Sequence, residues 1–202
     1  MFYLVFISGF LIKSINEEID MKKNIFIPLI AASIFALTSC GAKAVSYDKF
    51  IEKASKVPEH SYVSAKVNIT DTLYNEGKSF ELKANYDQTT SSFVFEDNSL
   101  AFLPYQIKVN ERAKDVVDIE KQEKTVYQEN KVEYYAGSTF KVIFTRSGTS
   151  ELSSPTTEQK LSCRKVYDKY GLLTSLYEEA TVKVGDNEPS KNKTTITVSY
   201  SK

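Results

Sequence analysis

Reactive side chains are few in this chain, and their spacing narrows what it can do. Of 202 residues, one is histidine and two are cysteine. His60 sits in a Pro58-Glu59-His60-Ser61 stretch between two periodic segments, which reads as a solvated connector. A Ser-His-Asp or Cys-His pair would have to use it. No CxxC, HExxH, GxGxxG or GxxxxGK[ST] run occurs, so zinc and nucleotide sites lack their ligands. Carboxylates are plentiful. Glu178 and Glu179 form the tightest pair, but neighbours on a strand point to opposite faces. Asp115, Asp118 and Glu120 read as a solvated face, and Asp186 with Glu188 as a polar loop. Neither group has the spacing of an EF-hand. Lys+Arg and Asp+Glu are both 26, and this balance excludes a basic nucleic-acid binder. The residues therefore predict a protein that is not an enzyme and carries no metal or cofactor.

The remaining reactive group is the Cys40 thiol. Lys22 and Lys23 form a positive segment after Met21, and Ile25 to Leu37 is an apolar run. That run falls well short of the about 20 residues of a membrane-spanning helix. It ends in Leu37-Thr38-Ser39-Cys40-Gly41, which resembles the lipobox of bacterial lipoproteins. The resemblance implies a signal peptide over residues 21–39, cleaved between Ser39 and Cys40. It also implies a diacylglyceryl thioether on Cys40, with residues 40–46 as a tether. The chain would then sit on the outer face of the bacterial plasma membrane. The codons of Glu17-Glu18 can read GAGGAG shortly before the Met21 ATG, so residues 1–20 are expected to lie upstream of the true start. Only Arg112, Arg146 and Arg164 are arginine and tryptophan is absent. That usage fits an AT-rich genome such as that of a low-GC Gram-positive bacterium. Lipidation of Cys40 leaves Cys163 without a partner, as a small buried apolar residue.

Residues 47–202 then form a single domain, expected as a monomer. Ser46 to Val57 has apolar residues at Tyr47, Phe50, Ile51 and Ala54, one face of a helix, with Ser46 as N-cap and Pro58 as stop. Beyond it the period becomes two. Val63, Ala65, Val67 and Ile69 alternate with polar residues, as do Phe80, Leu82, Ala84 and Tyr86, around a turn at Asn75–Lys78. The two runs predict a hairpin. Further strands are predicted at Ser92–Phe95, Val132–Tyr135, Phe140–Thr145, Leu161–Tyr167, Leu172–Val184 and about Ile196–Tyr200. A short helix is predicted over Glu111–Ile119, exposed loops over Ser147–Thr157 and Asp186–Lys193, and turns near Gly137 and at Asp168–Gly171. Ser99–Tyr105 is the most apolar patch of this region. The predicted class is α+β, mainly β: a curved antiparallel sheet or half-barrel of about seven or eight strands, with an N-terminal helix and one or two short helices.

This arrangement resembles the lipoprotein-carrier superfamily. The strand runs beginning at Tyr62, Phe80 and Phe93 and the turn from Tyr167 to Thr174 carry the likeness. The resemblance implies a curved, incomplete barrel whose hollow takes acyl chains. Phe93, Phe95, Phe102, Tyr134 and Phe140 are the aromatics expected to line such a cavity, with Leu100–Tyr105 as a flap or plug. Two expectations follow. One is a lipid-anchored protein that binds a lipid or other apolar ligand in the sheet. The other is a structural or adhesive surface lipoprotein that meets protein or cell wall. A cavity of roughly 300 Å³ or more lined by those aromatics favours the first. A filled core with an exposed apolar patch or an open sheet edge favours the second.

Overall fold

The structure, a computed structural model, describes residues 42–121, 129–150 and 155–202. The lipobox residues Leu37, Thr38, Ser39 and Cys40 lie outside them. Nine antiparallel strands form one open sheet: β1 (Lys43–Val45), β2 (Ser64–Asp71), β3 (Phe80–Asp87), β4 (Ser92–Phe95), β5 (Glu129–Ala136), β6 (Phe140–Ser150), β7 (Thr157–Tyr167), β8 (Leu173–Val184) and β9 (Ser190–Ser201). Their order is β1-β5-β6-β7-β8-β9-β2-β3-β4. The β2–β3 hairpin forms as the alternation requires, with Ala65 opposite Ala84 and Val67 opposite Leu82. The last strand closes onto the first long one, Val67 opposite Val198, so both halves of the chain share the centre of the sheet.

This order dictates where the helices go. The chain leaves β4 at one edge and must reach β5 near the other, so the connection crosses a whole face. The link from β1 to β2 crosses too. These two crossings carry α1 (Tyr47–Ala54) and α2 (Leu103–Asn110). Helix α1 starts on Ser46, whose Oγ accepts from the Lys49 amide, and buries Phe50 and Ala54. Helix α2 opens with Pro104 in its first turn, where a missing N–H costs nothing.

Both helices lie on one side, because the buried apolar side chains of the sheet point there. Val67, Ile69, Phe93, Val142, Leu176 and Ile196 are fully buried on that face. The other face carries Lys66, Lys83, Thr145, Lys193 and Thr197, none of them buried. Curvature follows from α2. Asn110 on α2 hydrogen-bonds β4, while Lys108 on the same helix pairs with Glu178 of β8. Three strands lie between β4 and β8. A flat sheet would separate them by about 19 Å, wider than a helix of about 10–12 Å. The sheet therefore curls around the helix.

The structure differs from the sequence expectations in four places. The short helix is not at Glu111–Ile119 but earlier, at Leu103–Asn110. In the expected segment a single 3-10 turn (Ala113–Asp115) is followed by extended chain. Ala113 and Val116 are buried as the pattern requires, whereas Val117 is 54% exposed. Lys43–Val45, part of the expected tether, is an edge strand beside Tyr134–Ala136. Three residues are too few to show a period. The expected loop at Ser147–Thr157 is shortened from both sides, since β6 runs through Ser150 and β7 starts at Thr157. Likewise β9 begins at Ser190, inside the expected Asp186–Lys193 loop. Among the described residues the strands number nine, β1 being the one beyond the expected seven or eight.

Candidate functional site

The five aromatics expected to line a cavity do not share one space. Phe93, Phe95, Tyr134 and Phe140 are buried within the core. Phe93 packs on Tyr86 and Tyr200, each with ring centroids 5.1 Å apart. Tyr134 and Phe140 instead flank Phe50 of α1, at 5.4 and 5.8 Å. Phe102, half-buried before α2, meets Tyr74 and Phe80 at the other end of the helix. Tyr105 of the same apolar patch also packs on Phe80, at 5.9 Å. Two open clefts have the volume of a ligand site. One, of about 410 Å³, lies between β1, the start of α1 and β5; Tyr134 is the one of the five that lines it, beside Glu120 and Glu133. The other, of about 440 Å³, is polar, with Glu129, Glu158, Lys160 and Lys183 on the outward face.

Beneath α2 the concave face is polar as well as apolar. Glu111, just past the helix, accepts from Lys165 Nζ at 2.6 and 2.7 Å and from the Tyr167 hydroxyl at 2.7 Å. Both carboxylate oxygens are thus engaged, and the group acts as a strut between α2 and β7. Burial first, then the Glu111 charge, pushes the Tyr167 phenol far above its ordinary value. Beside it, burial lifts the Cys163 thiol to about 12. The thiol stays protonated and is no nucleophile. Glu178 and Glu179 point to opposite faces: Glu178 meets Lys108 at 2.9 Å inside, and Glu179 accepts from the Tyr177 hydroxyl outside. Asp71, buried at the end of β2, accepts from the Thr194 hydroxyl at 2.8 Å. Among the described residues, no three His, Cys, Asp or Glu side chains are placed to hold a metal ion.

Two leucines and an isoleucine, on α2 and in the turn before it, face water. Leu100, Leu103 and Ile107 are 85%, 47% and 63% exposed and follow one another at helical spacing. Leu73, in the β2–β3 connection, is also exposed. The C-terminal end of α2 is tied to β4 by polar groups. The Asn110 amide accepts from the Phe93 N–H and donates to the Phe93 carbonyl, both at 2.7 Å.

His60 is the feature sequence reasoning missed. It is not a solvated connector. Its ring lies within 4.6 to 5.7 Å of Tyr86, Tyr62 and Phe93. Nδ1 accepts from the Tyr62 amide at 3.1 Å, and Nε2 lies 3.5 Å from Arg112 Nη2. Burial, then the Arg112 charge, lowers its pKa from 6.5. Asp168 stands nearby on the β7–β8 turn, its Oδ1 accepting from the Tyr170 and Leu172 amides. That turn needs Gly171, whose φ is +72° and whose carbonyl accepts from the Ala113 amide. The chain segments that build this corner are distant in sequence; the Pro58 stop and the Asp168–Gly171 turn were visible beforehand, but not that they meet at His60.

No family model, curated protein or solved structure matches this chain. Among the described residues no helix is long and apolar enough to cross a membrane.

Proposed function

We propose that the protein is a non-enzymatic lipoprotein, anchored through Cys40 on the outer face of the plasma membrane, that contacts a protein partner through α2. The observation that carries this reading is the pairing of a filled concave face with an exposed apolar strip. Phe50, Phe93, Val67, Ile196 and Leu176 leave no exposed surface on the inside. Leu100 and Ile107 leave most of theirs outside, and Leu103 nearly half. Contiguous exposed apolar side chains mark interaction surfaces. Charge selects the partner class. Glu96 and Asp97 immediately precede the strip, and Lys108, the basic residue in its last turn, is neutralised by Glu178. Acidic flanks disfavour an anionic bilayer and suit a protein patch with a basic rim.

A photocrosslinking residue at Ile107, in the cells that make the protein, tests this. A discrete protein adduct at Ile107, absent when the residue is at Thr197 on the outward sheet face, is the expected result. Adducts to lipid alone, or the same adducts from both positions, contradict it.

A second reading is favoured by one observation. Helix α2 is fastened to β4 through side-chain hydrogen bonds of Asn110 and Gln106. Lifting it would bare Phe95, Leu82 and Val67 to an apolar ligand, which then enters under the helix.

A further inference from the structure

We propose that His60 and Arg112 together bind a small oxyanion, a carboxylate or a phosphate group. The site is independent of the strip on α2.

A backbone contact fixes the tautomer of the ring. His60 Nδ1 accepts the Tyr62 N–H at 3.1 Å, and a backbone amide can only donate. In the neutral imidazole the hydrogen is therefore on Nε2. Nε2 lies 3.5 Å from Arg112 Nη2, and a guanidinium also has donors only. Two donors converge, and neither supplies an electron pair to the other. An oxygen lying beside both satisfies both. That nitrogen of Arg112 also donates to the Ser91 carbonyl, but at 3.4 Å, a long hydrogen bond that leaves room for a stronger acceptor. Ser91 itself has φ +52°, a left-handed turn conformation that fixes where its carbonyl points.

The surroundings favour an anion of limited charge. Tyr62, Tyr86 and Phe93 wall the ring, and a low local dielectric strengthens a charge-assisted hydrogen bond. The charged and titratable groups facing His60 are Arg112 from the segment after α2, Asp168 from the β7–β8 turn, and Glu59 beside it on the chain. Tyr62 precedes β2, Tyr86 is on β3. Asp168 has one oxygen held by two amides. With Glu59 it opposes multiple negative charge, so a singly charged oxyanion fits better than a dianion. Such a group can come from a free metabolite or from a lipid headgroup, and the chemistry at the nitrogens is the same.

His60 is the only histidine of the chain, so imidazole nitrogen resonances of the uniformly labelled full chain report this site alone. The expected spectrum shows the Nε2–H tautomer. Inorganic phosphate should then raise the His60 pKa saturably by about one, because a bound anion stabilises the imidazolium. Arg112→Gln and Arg112→Lys should each lose the saturable rise while the rest of the spectrum stays folded. Phosphatidylcholine vesicles containing phosphatidic acid distinguish the sources. A response at lower total phosphate than the free ion needs assigns the group to a headgroup, and an equal or weaker response assigns it to a soluble anion. An Nδ1–H tautomer overturns the proposal, because Nε2 would then accept from Arg112 and the pair would satisfy itself. A pKa indifferent to phosphate overturns it too, as does an equal rise in both variants.

Discussion

His60 and Cys163 show how unevenly single residues reveal their surroundings. Cys163 sits at an inward position of a strand, and alternation alone places it in the core, where it is 2% exposed. The neighbours of His60 come from β3, β4, the segment after α2 and the β7–β8 turn, and no local pattern links them. Its surroundings have a consequence for acid stability. The folded ring has a pKa below the 6.5 of the free side chain, through burial and the Arg112 charge. Below pH 6.5 the unfolded chain takes up a proton that the folded chain resists, so stability falls as the pH drops. Above 6.5 the ring contributes no slope. In Bis-Tris, free of carboxylate and phosphate, the urea midpoint should fall between pH 7.5 and 5.5. His60→Gln should flatten this decline. An equal decline in the variant would place its origin in other groups.

At the scale of elements, strands were legible and the second helix was not. Two-residue alternation locates β2, β3, β4 and β9, because each has one face in the core and one in water. The apolar spacing of α1, with Ser46 before it and Pro58 after it, locates that helix. Helix α2 buries only Tyr105 and Val109 and exposes Leu103 and Ile107. It therefore has no clean apolar face, and the eye passes to Ala113, Val116 and Val117. The edges of β6 and β7 were hidden for a similar reason: Ser147, Thr149 and Glu158 are polar residues on strands with an exposed outer face. Side-chain hydrogen bonds, rather than an apolar stripe, hold α2 along β4. Asn110→Ala removes both partners of the Phe93 backbone while Phe93 remains fully buried. Two orphaned groups cost about 2–4 kcal/mol together. Urea denaturation should show a loss of that size, with hydrogen exchange at the Phe93 amide accelerated more than at Val67 on β2. A loss below about 0.5 kcal/mol would show that the helix is held by something else.

At the scale of the molecule, strand order decides the rest. A mainly β, α+β chain with a curved sheet was legible from the alternating runs and the single strong helix. The pairing of β2 with β9 was not, because pairing between distant strands leaves no trace in a local window. That pairing sends both crossings over one face, and the crossings fill it. The aromatics Phe93, Phe95, Tyr134 and Phe140 looked like cavity walls in the sequence, since aromatics on strands serve either use. Segments from α1 and α2 turn them into packing.

The protein's own side chains fill this concave face. The residues from Ala42 to Lys202, produced without Cys40 and purified under native conditions, can be extracted with organic solvent and read by mass spectrometry. The account predicts a folded protein with no acyl-containing species in stoichiometric amount, and none taken up from added lipid. A stoichiometric lipid would contradict it and show that α2 lifts to admit an apolar ligand.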